Sequence, residues 1–345
     1  MTTNRFRTAF AAACSLLLCS SRWTVAADTA RPVWVSDPDR EFPNEMYIAA
    51  VGSGDTEDAA KNNVVSRIAM VFQSDVKAVD EIVSEYWEAD AAAGGELARS
   101  THLREQMAIS TDQKLRNVTV SRTWFDRESG RHHALAYLDR DQTTSLYLEE
   151  LARLDGEATE FFAGFRSHSD KLTRLAFLNR ALSLSAERDL LSSQLLVISQ
   201  GGSSREPQIK AVRLASARAS LKKEISVGIA LGGTDSPTFE SAVRGVMERE
   251  GFRVVPSGAD YEIRGGLTMN RLDRPGKFIG WRAELRLAES GSGAELLSCE
   301  RHGREGHRSF SEAERRAETK ASGEMKTALT EAIDGYLGGL LANSN

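Results

Sequence analysis

Only three cysteines occur in the 345 residues, and two of them, Cys14 and Cys19, fall within the first twenty positions. That leaves Cys299 alone downstream and excludes an internal disulfide framework once a leader is removed. Long apolar runs are also missing: after the first 27 residues no segment is uncharged for long enough to span a bilayer as a helix. Basic excess is absent, with 44 Lys and Arg against 49 Asp and Glu and a net charge of −5, so nucleic acid is a poor partner for this surface. Histidine numbers six, which leaves little for metal chemistry. No Gly-x-Ser-x-Gly elbow is present, and no glycine loop ends in Lys-Ser or Lys-Thr.

What is there begins with an export signal over residues 1–27. Arg5 and Arg7 give a positive start, "FAAACSLLLC" an apolar run too short to span, and "TVAA" a small-residue cleavage site after Ala27. Loss of Arg5, Arg7 and Arg22, the only charges in that stretch, takes the net charge from −5 to −8 for a chain starting at Asp28. A lipid anchor would need a cysteine at the end of the apolar run after a small residue. Cys14 sits in the middle of the run and Cys19 follows "LLL", so simple cleavage is the expectation.

The stretch "YIAAVGSGDTEDAAKNNVVSRIA", Tyr47 to Ala69, reads as strand, glycine turn and helix. A dinucleotide fingerprint needs a third glycine three residues after the second, and Gly54 is followed there by Glu57. Asp55, Glu57 and Asp58 stand where a phosphate would bind, and three carboxylates at a helix N-terminus repel an anion. The turn is therefore a way into a helix, with Asp55 as N-cap and Glu57 and Asp58 complementing the helix dipole.

Further on, Val64, Ile68, Val71, Val76, Val79 and Ile82 keep a helical period, and residues 91–100 break it. "LRNVTVSRTWFD", "RESG" and "RHHALAYLDR" then spell a hairpin. From Gln142 to Ile198 leucines recur at spacings of three and four, which predicts two or three helices. "SQGGSSREP" follows as a flexible break, and another helix leads to a boundary near residue 224. The second part opens with "ISVGIAL", then a helix with Ser236 as N-cap, Pro237 in its first turn and Gly251 as its stop. In "FIGWRAELRLAES", Ile279, Trp281, Ala283, Leu285 and Leu287 alternate with Gly280, Arg282, Glu284 and Arg286, the pattern of a half-exposed antiparallel strand. The expected architecture is α+β: a signal peptide 1–27, an α+β domain 28–145, a helical spacer 146–224 and an α+β domain 225–345, each domain a small antiparallel sheet with helices and able to fold alone.

Residues 32 to about 145 resemble the LPP-twenty lipoprotein family of bacterial envelope proteins. "RPVWVSDPD", "MYIAAVGSGDTEDAAKNNVVSRIA" and "HHALAYLDR" carry the likeness, over about a third of the chain. The resemblance implies an α+β domain in the cell envelope, related to the amino-terminal part of flagellar assembly protein T, with no known catalysis. Residues 225 to 342 are similar to the amino-terminal domain of TolB and the periplasmic domain of curli secretion proteins, through "GFRVVPSGADYEIRGGL" and an amphipathic hairpin.

Candidate chemistry is thin. His132 and His133 are neighbours on a strand and point to opposite faces, so they cannot ligate together. His302 and His307 flank two glycines in "RHGREGHR" and read as a solvated loop, while His102 and His168 stand alone. Cys299 reads as a small buried apolar group. Asp139 and Asp141 in "LDRDQTT" lack the glycine and distal glutamate of a calcium loop, and Asp141 reads as a helix N-cap. No catalytic, cofactor-binding or metal residue and no cofactor is expected. The function read from this is non-enzymatic: an exported periplasmic or outer-membrane-associated protein that docks onto other envelope proteins or its own copies. A small-ligand- or lipid-binding protein is the alternative, marked by an apolar cavity between sheet and helices. A hydrolase would need a cleft with two titratable side chains in hydrogen-bond reach, and none is expected.

Overall fold

The computed structural model describes residues 31–71, 117–272 and 276–342. The leader, Val76, Val79, Ile82, the break at 91–100 and His102 lie outside the described residues.

Two 3-10 turns, Val33–Val35 and Pro38–Arg40, precede strand β1 (Tyr47–Gly54) and helix α1 (Glu57–Val71). Strands β2 (Val118–Asp126) and β3 (Arg131–Asp139) form the expected hairpin, with Gly130 at φ +69° in its turn. Together they make a three-stranded antiparallel sheet in the order β1-β3-β2. Ile48, Ala134, Ala136 and Leu138 give one apolar face, against which Ala60, Val64 and Ile68 of α1 are buried. Trp34, Val35 and Leu135 pack on the other face, so the 3-10 turns close the side that α1 leaves open.

Gly52 and Gly54 are not a turn. Both lie inside β1, paired with Ala134 and His132 of β3. A Cβ at Gly52 would lie 2.3 Å from the Val64 nitrogen and 2.6 Å from the Ala60 oxygen, and one at Gly54 would lie 2.7 Å from the Ala60 nitrogen. The glycines let the backbone of α1 rest directly on the strand. The helix start is capped by Thr56, whose Oγ1 accepts from the Ala59 nitrogen at 3.2 Å, and not by Asp55, which is exposed. Threonine sits one residue nearer the first turn, where a side-chain oxygen reaches the free backbone N–H.

Helices α2 (Arg140–Ser167) and α3 (Lys171–Ile198) form a hairpin joined by three residues. Asp139 caps α2, accepting from the Gln142 nitrogen at 2.9 Å, so Asp141 falls inside the first turn instead of at the cap. Asp170 caps α3 through the Thr173 nitrogen at 2.6 Å. Tyr147 and Leu151 of α2 join Leu195 and Ile198 of α3 in the core of the first sheet. At the other end Phe162, Leu172, Leu175 and Leu178 belong to the core of the second. The pair is therefore more than the spacer read from sequence, because it supplies buried side chains at both ends.

Helix α4 (Ala211–Glu224) leads into β4 (Ser226–Gly233), α5 (Pro237–Arg249), β5 (Arg253–Val254), β6 (Tyr261–Arg271), β7 (Lys277–Glu289), β8 (Glu295–His307) and α6 (Phe310–Ala342). Ser236 caps α5, and Gly251 at φ +82° ends it, as expected. The sheet order is β5-β4-β6-β7-β8. Its β6, β7 and β8 are antiparallel, but β4 runs parallel to both β5 and β6, because α5 carries the chain back over the sheet. This sheet is mixed, not antiparallel, within an α+β fold. Ile263, Leu267, Ile279, Trp281, Ala283, Leu285 and Cys299 face the helices, and α6 meets them with Ala313, Ala317 and Ala321, small enough for close approach.

Candidate functional site

The residues singled out in the sequence do not converge. His132 packs against Phe125 with ring centroids 4.7 Å apart, and its neighbour His133 against Trp124 at 5.5 Å. Burial, together with the charge of Arg31, pushes His133 below its ordinary pKa, so it is neutral near pH 7. His168 ends α2 against Phe177. His302 and His307 are in strand β8, not in a loop; five residues apart, they project to opposite faces. Among the described residues no three His, Cys, Asp or Glu side chains are grouped to hold a metal ion. Cys299 is buried beside Met325, and burial raises its thiol to about 11, so it stays protonated as a small apolar group.

One polar cluster was not visible in the sequence, because its members are 34 to 89 residues apart. Lys171 Nζ donates to both Asp260 carboxylate oxygens at 2.8 Å, and the Ser226 nitrogen and hydroxyl donate to Oδ2 at 2.8 Å. Burial alone would raise the Asp260 pKa, but the bonds from Lys171 and Ser226 outweigh it and hold the carboxyl below its usual range. The Ser226 hydroxyl also accepts from the Asp260 nitrogen at 2.9 Å. With its donor and acceptor roles both used, the serine is not poised as a nucleophile. The cluster ties the start of α3 to β4 and β6.

An apolar cavity lies between the second sheet and α6, lined by Leu172, Met247, Tyr261, Leu297 and Tyr336, but its volume is about 20 Å³. That is room for about one water-sized probe, far below the space a lipid chain fills.

An open groove of about 540 Å³ lies on the outer face of the five-stranded sheet, away from α5 and α6. Its floor is bare backbone at Gly232, Gly233, Gly265 and Gly266. Side chains are excluded at three of these: a Cβ at Gly266 would lie 1.9 Å from the Gly232 oxygen, one at Gly233 would lie 2.5 Å from the Leu267 oxygen, and Gly265 has φ +138°. Arg264, Arg282 and Arg286 rise around the floor with Glu284 and Glu295. Arg286 Nε donates to Glu284 at 2.7 Å, and the arginine is held more firmly protonated, first by that bond and then by the Coulomb field of Glu284 and Glu295. Contrary to expectation, then, a groove does hold titratable groups in hydrogen-bond reach. They are ion pairs whose guanidinium keeps its proton, which suits recognition of charge better than proton transfer.

No helix among the described residues is long and apolar enough to cross a membrane. Among solved structures the chain is similar to the secreted protein HP1454 from Helicobacter pylori, at 12% identity over 73% of this chain and 86% of that one, with a TM-score of 0.39. It is also similar to a minor lipoprotein from Acinetobacter baumannii, at 12% identity over 32% of this chain and 94% of that one, with a TM-score of 0.25. No curated protein matches the sequence. Residues 32–139 match the model of the LPP20 lipoprotein family, a segment that opens at the first 3-10 turn and closes on the last residue of β3, so it takes in the whole three-stranded sheet.

Proposed function

We propose that the chain is a non-enzymatic, exported protein of the cell envelope that acts by docking onto other proteins there, with the outer face of the five-stranded sheet as its docking surface. The observation that carries this reading is that face itself: an open groove with a glycine floor, ringed by arginine–glutamate pairs. The LPP20 match over residues 32–139 supports the envelope location. A place in the periplasm or at the outer membrane, and a TolB-like role for residues 225–342, are part of the proposal. The 20 Å³ cavity gives the small-ligand and lipid alternative no support.

Envelope fractions from cells carrying the tagged chain test it. The wild type should retain a defined set of envelope proteins, or untagged copies of itself. A variant with Arg264→Gln, Glu284→Gln and Arg286→Gln, two exposed positions and one half-buried, should lose them while keeping its circular dichroism spectrum. Equal retention by both would remove the outer face from the proposal.

A further inference from the structure

The outer face carries its charges in rows that cross the strands, two residues and so about 7 Å apart. Across β6, β7 and β8 the first row is Thr268, Arg282 and His302, and the second is Gly266, Glu284 and Glu300. The third is Arg264, Arg286 and Ser298, and the fourth Glu262, Ala288 and Glu295. Charge alternates from row to row: positive, negative, positive, negative.

Two rows set like charges directly opposite each other, Arg264 against Arg286 and Glu284 against Glu300. Directly opposed like charges weaken a sheet standing alone. Pairing between adjacent rows offsets this, with Arg264 on Glu262 at 2.6 Å, Arg282 on Glu300 at 2.8 Å and Arg286 on Glu284. The same pairs already engage these long side chains, so part of their ordering precedes binding.

We propose that this face binds the same face of a second copy of the chain, about a two-fold axis that runs along the rows between the Glu284 row and the Arg286 row. The inference rests on the docking reading above and names its partner. Rotation about that axis reverses strand direction and leaves each strand over its counterpart, so the second row lands on the third and the first on the fourth. Glu284 then faces Arg286 of the second copy, His302 faces Glu295, and Thr268 faces Glu262. Arg264 falls over Gly266 and Gly232, where the bare floor leaves room for it. Moving the axis onto the second row would set glutamates on glutamates and arginines on arginines, so the axis must fall between rows. Between the second and third every charged row meets its opposite, whereas between the first and second the Arg264–Arg286 row would meet Asn270, Gly280 and Arg304, with no acid among them. From strand spacing and rise the face covers about 500 Å² per copy, at the low end for specific association, and its charges make binding salt-sensitive.

Sedimentation velocity and light scattering on the purified full chain test this at about 20 mM and about 500 mM salt. A dimer is expected at low salt, with Kd at least about tenfold higher at high salt. Glu284→Arg and Arg286→Glu should each abolish it, since each sets like charges across the axis. Their equimolar mixture should restore it, because one variant then presents arginines at both positions and the other glutamates. The neutral Glu284→Gln, which perturbs the fold least, should raise Kd several-fold. A wild type that stays monomeric at low salt overturns the inference, as does a dimer that survives Glu284→Gln and both reversals, or a mixture that stays monomeric. If the wild type is monomeric yet its outer face still captures other envelope proteins, self-pairing is wrong and the docking reading stands.

Discussion

At the scale of single residues, two positions concentrate the constraints. Gly52 holds α1 against β1, and the atoms a methyl group would strike are backbone, which cannot rotate away. Gly52→Ala should therefore cost about 3 kcal/mol, read as a lowered urea midpoint at unchanged m-value; a loss under about 0.5 kcal/mol would mean that helix and strand are not in that contact. Asp260 is held ionised by Lys171 and Ser226, below its ordinary pKa of 3.8. A carboxylate with a depressed folded pKa stabilises fully above its unfolded pKa and loses that contribution as pH falls through the folded value. Asp260→Asn should thus lower stability at pH 7 and much less near pH 2, narrowing the gap between the two. A parallel loss at both values would contradict the ion pair. Sequence reading placed the caps at Asp55 and Asp141, while Thr56 and Asp139 do the work. Where two capping residues stand one or two apart, propensity does not choose between them; the strand's last residue decides which reaches the free N–H.

At the scale of elements, alternation was readable and register was not. The inward set Ile279, Trp281, Ala283, Leu285 and Leu287 is buried as the two-residue period of β7 demands. Which residues of β6 and β8 stand beside its outward set depends on where each hairpin turns, so the rows of like charge exist only once three strands are aligned. The parallel pairing of β4 had a further cause that periodicity does not carry, the crossover through α5. In the helix pair α2–α3, the centre is marked by Asp155, a buried carboxylate that accepts from Arg188 at 3.2 Å and Arg205 at 3.1 Å. Arg205 belongs to the "SQGGSSREP" stretch, so this link between α3 and α4 is tied to the helices at that point. Asp155→Ala leaves the buried Arg188 guanidinium with Asp189, at 3.1 Å, as its remaining carboxylate, and should cost about 3 kcal/mol by urea unfolding, and Asp155→Leu with Arg188→Leu should recover most of it. Equal instability of the single and double variants would show that packing, not charge, is what Asp155 provides.

At the scale of the whole molecule, the proposed division into 28–145, 146–224 and 225–345 follows the order of elements along the chain, while packing crosses it. Tyr147 and Leu151 sit under the first sheet, and Phe162 and Leu172 under the second, on one continuous helix pair. One helix pair thereby links the segment matched to the LPP20 family to a sheet whose outer face is open. The proposed docking role of this face is open to direct test. A photo-crosslinking amino acid placed in living cells at Ser298, exposed on the outer face, and separately at Thr327, exposed on α6 behind the sheet, addresses it directly. Discrete protein adducts should form from position 298, to a second copy or to another envelope protein, and not from 327. Adducts from 327 alone, or from neither, would contradict a docking role for the outer face.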